Sequence, residues 1–392
     1  MNATARPDTP KAPRARRSHA IQSLARFWAM FIKEFLQLRR DRVTFATMIF
    51  IPFMQLLLFG FAINTQPTHL PTAVLTQENT DVSRAIVAAL RNTSYFRFTH
   101  TAHSAAQTDH WLRAGTVQFV VEIPAGFERA LRRGERPALL IAADATDPVA
   151  SGTALGALNG ILSGALSGLH GLPDQSQTAA FEIRQHRRYN PAGVTRLNIV
   201  PGVLGTILTM TMLIFTALSV TREIERNTME NLLSMPIRPL EVMLGKIAPY
   251  VVVGFAQAAL IFVAGFLVFG VPVEGSLILL AALSVLFILT NLSIGYTFST
   301  LARNQLQAIQ MSFMFFLPNI LLSGFMFPFA GMPVWAQWIG EALPLTHYLR
   351  IVRGIMLKGA GLGDLAHPAM MLAGLTLFAM MLAVTRFRRT LD

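Results

Sequence analysis

The sequence predicts an α-helical polytopic membrane protein: six transmembrane helices, an N-terminal interfacial helix, and an α/β periplasmic domain inserted between spans 1 and 2. Apolar residues fill 53% of the 392 positions and charged residues only 14%. With a mean hydropathy of +0.47, the chain is too apolar for an ordinary water-soluble domain. The apolar residues collect in blocks of about 20, which at about 1.5 Å per residue cross roughly 30 Å of hydrocarbon. One long polar stretch, residues 64–198, breaks the series and carries twelve Arg and ten acidic residues.

Residues 1–20 are rich in Pro, Ala and Arg and have no apolar core or cleavage site, so they read as a disordered cytoplasmic tail. Over 21–42, Ile21, Leu24, Phe27, Trp28, Phe31, Ile32, Phe35 and Leu38 recur every three or four residues among Arg26, Lys33, Arg39 and Arg40. That pattern suits a helix lying in the membrane interface. Span 1 covers 43–63 and reads as a retained signal anchor. Within 64–198, β-type runs at 72–77, 96–100, 117–123 and 138–143 alternate with helical stretches at 80–92, 104–114, 125–133 and 149–170. Such alternation describes a small α/β domain, and the Gly- and Ala-rich stretch at its end reads as a closely packed helix.

Spans 2 to 6 fall at 199–220, 247–270, 276–300, 307–327 and 366–385, with a cytoplasmic tail at 386–392. The segment 328–365 is broken by Pro328, Pro333 and Pro344 and suits re-entrant or interfacial helices on the outer side, with Trp335 and Trp338 at headgroup level. Lys and Arg set the orientation: ten lie in 1–42, four in 221–246, then Arg303, and three at the C-terminus. The positive-inside rule makes all of these segments cytoplasmic, with both termini inside a bacterial inner membrane.

The formal charge of +12 lies largely beside hydrophobic segments, where anionic lipid and topology explain it without nucleic acid. The absence of cysteine excludes disulfides and thiolate chemistry. His100, His103, His110 and Asp109 match no metal-ligand spacing and read as a solvated surface. No Asp or Glu occupies the middle of a span, which counts against an ion-coupled secondary transporter. Gln257, Asn291, Gln310 and Asn319 are the candidate substrate path, although interhelical hydrogen bonding is the plainer reading of the same residues.

The most informative stretch is 221–246, a charged segment between two spans. Arg222, Glu223, Glu225, Arg226, Thr228 and Glu230 precede Leu232, Leu233 and Pro236, giving a short amphipathic helix suited to docking on a cytoplasmic partner. With Arg238, Pro239, Glu241, Gly245 and Lys246, the run closely resembles the cytoplasmic loop of ABC-2 type transporter permeases. Asn227 stands where the family often has glycine. The segment before the last span, with Pro344, Tyr348 and Arg353, resembles the family's outer-gate region, where a structural ion pair at Arg353 is anticipated.

That resemblance implies a pair of six-span subunits, as a homodimer or with a similar sister, each contacting an ABC ATPase subunit through residues 222–236. It also implies export of drug-like or amphipathic molecules. A periplasmic adaptor is a further candidate partner, beside membrane lipid. The permease itself would be no enzyme and would bind no cofactor directly. ATP and Mg would act through the partner, since Gly245-Lys246 lacks the upstream glycine of a phosphate-binding loop and is followed by Ile247. The readings left beside this one are an ATP-independent membrane scaffold or receptor, and a secondary carrier.

Overall fold

The computed structural model describes residues 68–166, 181–225 and 239–389. The expected tail, interfacial helix at 21–42 and span 1 at 43–63, and residues 226–238 of the 221–246 segment, lie outside the described residues.

The polar stretch forms a five-stranded sheet in the order β2-β1-β3-β4-β5. Its strands are β1 (Leu70–Thr76), β2 (Phe96–Ala102), β3 (Phe119–Ile123), β4 (Ala138–Asp144) and β5 (Glu182–Arg188). The helices α1 (Asp81–Arg91), α2 (Ala105–Ala114), α3 (Phe127–Arg132) and α4 (Pro148–Leu166) connect them. Helical crossovers place β2 and β3 parallel to β1, on either side of it. The β3–β4 pair is antiparallel and β4–β5 parallel. Alternation along the strands separates two faces. Phe119, Val121 and Ile123 with Leu139, Ile141 and Ala143 pack under α1, α3 and α4. Val120 and Ala142 turn to the other face, toward Leu112 of α2. A reciprocal capping box between Thr80 and Ser83 fixes the start of α1.

Four strands and four helices match the sequence pattern, and the Gly- and Ala-rich stretch is indeed a packed helix, burying Ala150, Ala154, Leu155, Leu158 and Leu162. Periodicity passes over β5, EIRQHRR, because it contains only Ile183 as an apolar residue. Backbone pairing along β4 holds it, from Ala138↔Glu182 to Asp144↔Arg188, and its charges suit an edge strand that must not recruit another chain.

Five of the six expected spans fall among the described residues, each long and apolar enough to cross a membrane. The helices that contain them are α5 (Thr195–Glu225), α6 (Pro239–Leu267), α7 (Leu277–Leu301), α8 (Gln305–Leu322) and α11 (Ala366–Arg389). In a bilayer, helices of this kind satisfy every backbone group internally. Between α8 and α11 lie a 3-10 turn (Phe329–Gly331), α9 (Val334–Glu341) and α10 (Pro344–Lys358). Two short re-entrant or interfacial helices are anticipated there; α10 is longer, and its near-complete burial does not suit an interfacial helix. Leu345, Tyr348, Leu349, Val352 and Ile355 pack against Leu204 and Leu208 of α5 and Leu283 and Phe287 of α7. By contrast α6 leaves Val252, Leu260, Val263 and Phe266 exposed, as a lipid-facing helix does. Trp338 is 75% exposed, as an aromatic at a membrane interface is.

Gly295 lets α7 approach α5 closely: a Cβ there would lie 2.7 Å from the Leu213 carbonyl oxygen and 3.1 Å from its Cα. These are backbone atoms, so Gly295→Ala must push the two helices apart. An expected cost of about 1–3 kcal/mol will lower the thermal unfolding midpoint in detergent. Gly374→Ala on α11 meets nothing within 4 Å and serves as the comparison. Equal midpoints for the two variants would refute the packing argument.

Candidate functional site

The residues that combine charge, burial and an enclosed space gather where the sheet meets α9, α10 and α11. From the sheet side come the residues before β1, Arg97 of β2, the end of α2, and the turn after β4. From the helix side come Arg350, Arg353 and Lys358, all on α10. They surround a cavity of about 760 Å³.

Local sequence explains each position. Gly115 ends α2 with φ 73°, a left-handed conformation that suits glycine, and its backbone N–H donates to the Leu112 carbonyl. The turn after β4 is held by Asp144 Oδ1, which accepts from the Thr146 N–H at 3.1 Å and the Thr146 hydroxyl at 2.8 Å. Asp147 Oδ1 accepts from the N–H groups of Val149 and Ala150, at 3.1 and 3.2 Å, and so caps α4. Asn190, almost fully buried, braces the turn from β5 into α5 by donating to the Val194 carbonyl and accepting from its N–H. Two non-glycine residues with positive φ, His69 at 57° and Tyr189 at 67°, flank the sheet at this end, a concentration of backbone strain seen at sites under functional constraint.

An ion pair between Lys358 and Asp144 joins the two parts, its side chains only 8% and 7% exposed. The same ammonium donates to the Leu112 carbonyl at 3.3 Å and lies 5.5 Å from the Tyr189 ring centroid. A second link is His110 Nδ1, 3.1 Å from the Asp364 carboxylate. On the helix side Arg350 donates both Nη atoms to Glu341, at 3.0 and 2.6 Å, and its guanidinium stacks 4.7 Å from the Phe329 ring centroid. Burial raises the pKa of the Glu341 carboxyl, but the hydrogen bonds and charge of Arg350 outweigh it and hold the group below its usual value. For Asp147 the balance reverses: burial pushes the carboxyl up against the opposing charge of Arg353.

The outer-gate residues read from sequence all fall on α10. Pro344 opens the helix. The Tyr348 hydroxyl lies 2.8 Å from Ser284 Oγ on α7, and its ring stacks on Phe287 with centroids 4.0 Å apart. Arg353 donates Nη1 to the Gly324 carbonyl at 3.1 Å. Its carboxylate neighbours, Asp144 and Asp147, act on it through space, while the close ion pair is made by Lys358.

The four candidate path residues do not converge on this cavity. Thr211 donates to Gln257 Oε1 at 2.8 Å between α5 and α6. Asn319 Oδ1 accepts from the Leu345 N–H at 3.3 Å, Asn291 donates back to the Phe287 carbonyl of its own helix, and Gln310 is half-buried on α8. For the first three, hydrogen bonding within and between helices is what the geometry records.

Of the residues expected to contact an ATPase, Arg222, Glu223 and Glu225 continue α5 as its last turn instead of starting a separate helix, and α6 begins at Pro239. Arg226, Thr228, Glu230, Leu232, Leu233 and Pro236 lie outside the described residues. Glu225 accepts from the Gln305 backbone N–H at 2.7 Å and from its side-chain amide, which ties α5 to the start of α8. Sequence reading had no signal for Lys358, Asp144 or Glu341, whose partners lie 214 and 9 positions away. No group of three or more His, Asp or Glu suited to a metal occurs among the described residues.

A family described as "ABC-2 family transporter protein" matches residues 42–385. In Escherichia coli K12, a probable multidrug ABC transporter permease, YbhS, is 30% identical over 346 residues, covering 87% of this chain and 91% of that protein. A second probable multidrug ABC transporter permease, YbhR, is 29% identical over 338 residues, covering 86% and 91%. The inner membrane transport permease YhhJ is 31% identical over 300 residues, covering 74% and 77%.

Two outcomes test the junction. Lys358→Met leaves Asp144 buried without its counterion and should cost about 3–5 kcal/mol, whereas Lys358→Met combined with Asp144→Leu should recover most of that. Unfolding free energies that simply add would show the pair uncoupled. Because the Glu341 pKa is depressed on folding, its stabilisation is present above the unfolded value of about 4.3 and disappears as pH falls through the folded value. Glu341→Gln should therefore lower the thermal midpoint at neutral pH, and the gap to the parent protein should close as pH falls below about 4.3 and through the folded value. A constant gap across that range would disprove the linkage.

Proposed function

The chain belongs to the ABC-2 family of transporter proteins, and on that premise we propose that it is the membrane-spanning permease subunit of an ATP-binding-cassette exporter. ATP and Mg act on a separate ATPase subunit. The observation that carries this reading is the family match from 42 to 385 in a chain that has five long apolar helices among its described residues and whose lone Gly-Lys pair, Gly245-Lys246, sits in no phosphate-binding loop. Drug-like or amphipathic molecules are the substrate class, since two of the relatives are named as probable multidrug permeases.

In this reading the protein resides in the bacterial inner membrane with both termini cytoplasmic, the sheet domain on the periplasmic side, and a second permease subunit beside it. The segment 222–236 docks on the ATPase. Glu225 then has two roles: it stands at the edge of the docking segment, and it holds the start of α8 through Gln305. A load applied there reaches two spans at once.

Co-expression with neighbouring genes and purification in mild detergent should recover a nucleotide-binding subunit at one-to-one stoichiometry. Its absence in several detergents and in nanodiscs would favour a scaffold or receptor and end the transporter reading. Within a recovered complex, Glu230→Lys should cut efflux about tenfold or more while ATP hydrolysis and membrane insertion persist. Normal efflux in that variant would remove the docking role from this segment.

A further inference from the structure

We infer that the cavity between the sheet and α9–α11 is a binding site for a phosphate-class anion, held by Arg97, Arg113 and Arg353. The volume, about 760 Å³, lies within the roughly 300–1,000 Å³ typical of small-molecule sites. Five Arg and Lys residues line it against three Asp, and the decisive point is how these charges are already used.

All three acids are engaged. Asp144 serves Lys358 and Thr146, Asp147 caps α4, and Asp364 holds His110 and the Gly361 N–H. Two cations are engaged as well, Lys358 by Asp144 and Arg350 by Glu341. What remains is a set of three guanidinium groups from three different elements. Arg97 of β2 and Arg113 of α2 make no hydrogen bond or ion pair among the described residues. Arg353 of α10 spends Nη1 on the Gly324 carbonyl, while Nε and Nη2 are buried without a partner.

Asp144 and Asp147 act on Arg353 through space, but its Nε and Nη2 still lack an acceptor, and buried N–H groups without one are costly. The planar fork of each guanidinium suits an oxyanion. Three forks arriving from β2, α2 and α10 call for an acceptor with oxygens in several directions, which a tetrahedral phosphate provides and a carboxylate with two coplanar oxygens does not. The lining also has an apolar flank, Met332, Val334 and Leu365 among it, continuous with the exposed Val334 and Trp338 of α9. A phosphate carried on an amphipathic molecule therefore fits the whole cavity. Such a phosphate comes either from a lipid headgroup or from a free phosphoester.

The test uses the full-length protein in dodecyl maltoside and phosphate-free buffer, with binding followed by calorimetric titration. The probes are inorganic phosphate, dihexanoyl-phosphatidylglycerol, and dihexanoylglycerol as the phosphate-free control. Saturable binding of at least one phosphate probe is expected, weakened about tenfold or more in the double variant Arg97→Gln, Arg113→Gln. Both residues are exposed, so that variant should fold normally. Arg353→Gln should act in the same direction, and Arg84→Gln, on the outer surface of α1, should bind like the parent. Binding of inorganic phosphate identifies a free phosphoester as the source. Binding of phosphatidylglycerol alone identifies a lipid headgroup. The assignment is overturned if neither phosphate probe binds, if dihexanoylglycerol binds as tightly, or if the double variant loses less than about tenfold.

Discussion

An ammonium and a carboxylate, both withdrawn from water, tie the sheet to the helix bundle. Lys358 sits at the last position of α10 and Asp144 at the last position of β4, so each charge stands at the end of a rigid element. Taking such a pair out of water costs several kcal/mol per ion, and its mutual attraction compensates only when the geometry is good and the remaining polar atoms are satisfied. Here they are: Asp144 also accepts from Thr146, and Lys358 also donates to Leu112. With the His110–Asp364 contact and the Asn190 brace, the pair joins the sheet to the helices at several points. The cavity lies between the parts so joined, with Arg97, Arg113 and Arg353 in its lining.

Helix α10 carries the constraint inward. Its C-terminal end holds Lys358 and Arg353, and its N-terminal half is anchored by Tyr348, hydrogen-bonded to Ser284 and stacked on Phe287 of α7. Nearly every residue between is buried. Protein interiors are too densely packed to deform smoothly, so a change in charge at the cavity cannot be absorbed locally by α10. Helix α10 bears directly on Leu204 and Leu208 of α5 and on Leu283 and Phe287 of α7. A segment whose prolines and glycines mark it as irregular thus contains a helix that is buried along nearly its whole length.

Much of this was legible in the sequence, and the exceptions share a cause. The five described spans, four of the five strands and the helices between them announce themselves through local periodicity, since each buries an apolar face or lies in lipid. Strand β5 does not, because backbone pairing with β4 holds it, not apolar side chains. For α10 the local signal is the set of prolines at 328, 333 and 344, which suits short re-entrant or interfacial helices, and Arg350, Arg353 and Lys358 add charge to the same segment. The structure accommodates all three with partners from α9, the Gly324 turn and β4, which no local pattern reveals. Family resemblance pointed to Pro344, Tyr348 and Arg353 as a group, and the structure unites them on one helix. Lys358 and Asp144 stayed hidden, being separated by 214 positions.

Helix α5 joins the sheet to the start of α8. That helix runs 31 residues from Thr195 to Glu225, about 46 Å at 1.5 Å per residue. At one end the Asn190 brace joins it to β5; at the other, Glu225 grips the start of α8. Between them, Gly205 admits Leu345 of α10 so closely that a Cβ would lie 2.6 Å from it, and Gly295 brings α7 against Leu213. A force applied at Glu225 therefore acts on an element already locked to the buried helix that lines the cavity. Energetic coupling over such distances requires packed, rigid elements with discrete arrangements. Helix α5 has the packing and the length for that role, and the small residues along it leave little slack in which a displacement would be lost.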